Sequence, residues 1–101
     1  MSKKIVHRDL DLSLLIKSVC ARPQMYIGND ENFRMVSTFI AGFAYASNTF
    51  DDELREFSYW LGVKFNLPRN VVWNYNLEQI YPNFKDALEK LPELFEEFRT
   101  S

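Results

Sequence analysis

Apolar residues return at three- and four-residue steps through four stretches of this chain, and that period admits amphipathic helices. In "DLSLLIKSVCARP", Leu12, Leu15, Ile16, Val19 and Cys20 fall on one helical face. Phe33, Val36, Ile40, Phe43 and Ser47 mark a second stripe, and Phe39 and Ala44 widen it, which predicts burial on more than one side. Phe50, Leu54, Phe57, Leu61 and Phe65 mark a third, with Tyr59, Trp60 and Val63 beside it. The fourth is Phe84, Leu88, Leu91, Phe95 and Phe98. Four stripes with short connections predict an all-α fold, a compact bundle of four to five helices with an irregular segment around 68–81. A length of 101 residues predicts a single helical domain over 1–101, with residues 1–8 frayed.

Helix boundaries are written in the residues between the stripes. Asp9 or Asp11 is placed to cap the first helix, and Pro23 forces Arg22 out of helical geometry, so that helix ends near Ala21. Met25 and Ile27 or Tyr26 are expected to pack inward, and Gly28-Asn29-Asp30 predicts a turn, with Asn29, Asp30 or Asn32 as the next cap. Thr49 and Asp52 resemble a capping box for the third helix, and "LPRN" ends it. Asn83 caps the last one. Pro92 lies inside that last stripe and predicts either a kink or two short helices. Gly42 and Ala46 are small enough for another helix to approach closely, while "VVW" and "LEQIY" predict an extended piece and a single helical turn.

The residue inventory argues against several chemistries. One His, His7, and one Cys, Cys20, make neither a nucleophilic dyad nor a metal cluster, and Cys20 falls on an apolar face. Gly28, Gly42 and Gly62 are too scattered to cradle a phosphate. No catalytic residue, metal or cofactor is expected. Twelve basic against fourteen acidic residues leave a net charge of -2, which disfavours non-specific binding to nucleic acid. Trp73 and Tyr75 beside Arg69 would suit base stacking, or Trp73 would plug the end of the bundle. The opening "MSKKIVHRDLDL" lacks a signal-peptide apolar region and no run is long enough for a membrane span, so a cytoplasmic location is expected.

What remains is surface. Aromatics make up 16% of the chain, which implies a Phe-built core or an aromatic binding face. Carboxylates cluster at Asp51, Asp52, Glu53 and Glu56, and again at Asp86, Glu89, Glu93, Glu96 and Glu97. Such clusters are either solvated helix faces or a docking surface for a basic partner.

The stretch "VCARPQMYIGND" carries two resemblances. Locally it resembles the "RPGMYIG" segment of gyrase-type ATPase domains. Here, however, Gln24 replaces the Gly, Ser47 precedes Asn48, and the later Asp-x-Gly-x-Gly motif and Gly-rich lid are missing, so ATP hydrolysis is not expected. Over the whole chain the pattern resembles small bacterial immunity proteins of toxin systems, including contact-dependent inhibition. The matching positions are Arg22, Pro23, Met25, Tyr26, Ile27 and Gly28 in the corner. They continue at Phe39, Gly42, Ala46, Phe57, Trp60, Leu61, Trp73, Leu91, Phe95 and Phe98. The resemblance implies a non-enzymatic protein that occludes the active site of a cognate toxin. A nuclease would be met by acidic groups, here Asp51, Asp52, Glu53, Glu56, Glu89, Glu93, Glu96 and Glu97. The rival readings are a non-catalytic adaptor or homo-oligomerising domain and, further off, a nucleotide-binding remnant.

Overall fold

A computed structural model describes residues 11–29, 32–46, 48–68 and 71–101. Six helices occur among these residues: α1 (Leu12–Ala21), α2 (Gln24–Ile27), α3 (Phe33–Tyr45), α4 (Asn48–Phe65), α5 (Trp73–Ile80) and α6 (Phe84–Thr100). No strand occurs among them. Helix α1 packs along α6, while α3 and α5 flank α4. The expected fraying of residues 1–8, the Asp9 and Asp30 caps, Ser47 and Arg69 lie outside the described residues.

Each boundary has a local cause. The Asp11 carboxylate accepts from the Ser13 amide at 3.2 Å and opens α1. Arg22, at φ -141° and ψ 64°, leaves helical geometry as a residue before proline must. Pro23 keeps a helical φ of -61° and starts the single turn of α2. Gly28 closes that turn by donating its amide to the Gln24 carbonyl. Its φ of 80° and ψ of -158° belong to a region open only to glycine. The predicted turn at 28–30 is thus preceded by a small helix. Asn32 caps α3 and Asn83 caps α6 through their side-chain oxygens.

Helix α4 begins at Asn48, so Thr49 stands inside its first turn rather than at the predicted cap. It ends in a Schellman motif. Asn66 takes a left-handed φ of 55°, the Leu67 amide reaches Gly62 O at 2.8 Å, and the Asn66 amide reaches Val63 O. Pro68 then prevents continuation.

The 68–81 segment is more regular than its sequence suggests. Trp73 to Ile80 form a helix, and the "VVW" piece is its approach rather than a strand. Trp73 is buried between Phe33 of α3 and Phe57 of α4, at ring distances of 6.4 and 6.1 Å. That burial fixes the start of α5 and takes the Trp73 ring into the core rather than onto an exposed stacking surface. Buried Asn76 donates to the Pro68 carbonyl at 3.4 Å and ties the loop back to α5.

Pro92 does not split the last helix. It removes the amide that would bond Leu88, yet Leu91, Leu94 and Phe95 are buried around it and hold the helix to the core. The core as a whole joins Leu12, Ile16 and Val19 to Val36 and Ile40, to Leu54, Phe57 and Leu61, and to Leu77, Leu91 and Phe95.

Two substitutions test these assignments by chemical denaturation. Pro92→Ala restores a helical amide without removing a large side chain and should raise stability by about 1–3 kcal/mol. Gly28→Ala should lower it by about 1–3 kcal/mol through backbone strain, since a Cβ there meets nothing within 4 Å. An unchanged midpoint for Gly28→Ala would contradict the backbone account.

Candidate functional site

The eight candidate carboxylates do not form one surface. Along α4, Leu54, Phe57, Ser58 and Leu61 face the core. At 100° per residue, Asp52, Glu56, Tyr59 and Val63 therefore point the opposite way. Tyr59 and Val63 are 55% and 50% exposed, which corrects their predicted place beside the buried stripe. Asp52, Arg55, Glu56 and Tyr59 line an open groove of about 520 Å³ whose far wall is Phe98 of α6. Arg55 braces the acids from within the helix, at 2.7 Å from Asp51 and 3.0 Å from Asp52. Glu56 and Glu89 make no ion pair among the described residues.

Glu53, Glu96 and Glu97 pair across helices. Glu53 meets Arg99 at 3.1 Å, and the same guanidinium reaches Asp11 at 2.9 Å, which joins α4, α6 and the start of α1. Glu96 accepts a hydrogen bond from the Ser13 hydroxyl and lies 3.6 Å from Lys17. Glu97 takes Lys64 at 2.6 Å, and that ammonium also sits over the Trp60 ring. Glu93 lies on the exposed side of α6 near Lys90.

The ionisation of these groups follows their surroundings. Burial pushes the Glu53 carboxyl above the ordinary range, against the pull of Arg99. The Ser13 hydrogen bond, with help from Lys17, holds Glu96 below it. Burial lifts the Cys20 thiol to about 12, so at neutral pH it is a protonated thiol inside the α1 contact rather than a nucleophile.

The corner residues Arg22, Pro23, Met25, Tyr26 and Gly28 shape the chain more than they form a cleft. Met25 was expected to pack inward but is 67% exposed, because α2 is one turn long and presents a single inward side chain, Ile27. Tyr26 sets its ring edge against Phe39 at 5.3 Å. Arg22 lies with Lys17, Ser18 and Met25 around a shallow depression. Of the residues that the gyrase resemblance singles out, Ser47 and the Asn48 side chain lie outside the described residues. Among the described residues no group of three or more His, Cys, Asp or Glu is arranged to hold a metal ion. No described helix is long and apolar enough to cross a membrane.

Sequence reasoning missed Tyr59 and Phe98 as groove walls, having placed both on or beside buried stripes. The available signal was the seven-residue step Asp52–Tyr59 with Glu56 between them.

Two solution measurements follow. A depressed Glu96 contributes stability that is present above the ordinary glutamate range, about pH 4.3, and is lost as pH falls through its folded value. Glu96→Gln should therefore flatten the decline in thermal stability on acidification; an unaltered acid limb would contradict the assignment. Cys20 should react with a thiol reagent at pH 8 at least about tenfold more slowly in the folded chain than in denaturant. No family model, curated protein or solved structure matches the chain.

Proposed function

We propose that this chain is an immunity-type protein that binds a basic protein toxin through the groove between α4 and α6 and occludes its active site. The observation that carries the reading is the outer face of α4. There Asp52 and Glu56 stand beside exposed Tyr59, with Phe98 opposite. Aromatic rings with carboxylates beside them suit a partner that presents Arg or Lys, since the ring takes the side-chain stem or the guanidinium face and the carboxylate takes the charge.

Arg55 pairs with Asp51 and Asp52, and Glu56 beside it makes no ion pair among the described residues, so the patch stays acidic after its internal pairing. A nuclease toxin gathers cations where it holds phosphate, and such a patch both steers it and covers it. The acids that brace α6, Glu53, Glu96 and Glu97, serve the fold and leave this face in place.

Co-expression with the toxin encoded beside this chain should restore growth, and the two proteins should co-purify. The double variant Asp52→Lys/Glu56→Lys should melt within a few degrees of the parent and weaken the complex at least about tenfold, the more so at low salt. Absence of a complex with the native chain would sink the reading. Full protection by the double variant would move the interface elsewhere.

A further inference from the structure

The chain opens on a basic run, Lys3, Lys4 and Arg8 with the single acid Asp9, in a protein whose net charge is -2. Ile5 and Val6 stand between those cations. This run precedes the described residues, which begin at Asp11, and Asp11 marks where it joins the fold. The Asp11 carboxylate lies 2.9 Å from Arg99, and the same guanidinium holds Glu53 of α4 at 3.1 Å. Phe98, next to Arg99, is the far wall of the α4–α6 groove, and Glu56, one turn from Glu53, lies on its near side. The chain therefore enters the fold beside one end of the groove.

The distances are within reach. From Asp52 to Tyr59 the groove runs about 10 Å along α4. Three extended positions, from Asp11 back to Arg8, span up to about 10 Å, and seven, back to Lys4, up to about 25 Å.

We infer that Lys3 to Arg8 lie in this groove, their cations towards Asp52 and Glu56, and that a basic partner must displace them. Charge favours this occupant: Arg55 is taken up by Asp51 and Asp52, whereas Glu56 makes no ion pair among the described residues. Residue pattern favours it too, since Ile5 and Val6 between cations match a groove that sets the Phe98 ring against an acidic edge. Tethering supplies an effective concentration of about millimolar order, which populates a contact too weak to hold between separate molecules. The displacement rests on the function proposed for the groove; the contact does not.

Carbodiimide coupling of the full chain at low salt tests the contact. The reagent condenses a lysine amine with a carboxylate to an amide and takes up the water lost as a urea. Lys64 and Glu97, 2.6 Å apart, supply the internal control. Peptide mass spectrometry should find Lys3 or Lys4 joined to Asp52 or Glu56, at a yield relative to that control independent of protein concentration. Salt at about 0.5 M should cut this relative yield at least about threefold. A chain bridged between Lys64 and Glu97 but not at Lys3 or Lys4 overturns the inference, as does one bridged equally to Glu89 and Glu93 of α6.

A hexa-arginine peptide, as a basic probe, tests the displacement. Lys3→Ser/Lys4→Ser/Arg8→Ser should bind it at least about threefold more tightly than the charge-matched Arg34→Ser/Lys85→Ser/Lys90→Ser. Equal affinity of the two variants would overturn the displacement. Bridges to Asp52 and Glu56 in a chain that captures no toxin would uphold the contact and remove only the proposed function.

Discussion

The Phe57 ring is the point through which the helices of this protein are joined. It is fully buried and lies 5.1 Å from Phe95, 5.5 Å from Phe98, 6.0 Å from Trp60 and 6.1 Å from Trp73. Those partners sit on α4 itself, on α5 and on α6, and Trp73 passes the contact on to Phe33 of α3. Edge, tilted and stacked contacts of this kind add to area burial, and they orient the helices as well as attract them. Six of the sixteen aromatic residues belong to this one interior cluster, while Tyr26, Phe43, Tyr45, Tyr59 and Tyr75 stay exposed. The position of α5 and the continuity of α6 past Pro92 both depend on side chains anchored in or next to it.

Most of the helical framework is legible in the sequence because its signals are local. Three-and-four spacing located the four long helices, and Asp11, Asn32 and Asn83 act as caps where they stand. The failures share a different cause. Whether "VVW" opens a helix depends on Phe33 and Phe57, which lie distant in the chain and bury Trp73. Whether Pro92 breaks a helix depends on how much apolar surface on either side holds it, and Leu91, Leu94 and Phe95 supply enough. Met25 points outward because a four-residue helix turns too little to bury two neighbouring large side chains.

The site was less legible, for a related reason. A run of acids in sequence becomes a fan of directions on a helix, and their partners come from distant segments. Glu53 is drawn inward by Arg99, which also reaches Asp11 at a separation of 88 residues, and Glu96 is drawn to Ser13 at a separation of 83. Asp52 and Glu56, four residues apart, remain together on an outer face with Tyr59, and Glu89 and Glu93 stay exposed four residues apart on α6. The charge clusters were visible; their division between bracing the fold and facing outward was not.

Helix α4 divides its two faces between folding and the groove. Phe57 points inward and holds the bundle, while Tyr59, two residues on, points outward beside the acids of the groove. Parallel truncation measures that division most directly, with the melting temperature and the retention of a co-purified basic partner read for both variants. Phe57→Ala should lose about 3–5 kcal/mol of stability, and Tyr59→Ala should melt close to the parent while losing most of its hold on the partner. A Tyr59→Ala chain that unfolds, or one that retains the partner undiminished, would contradict it.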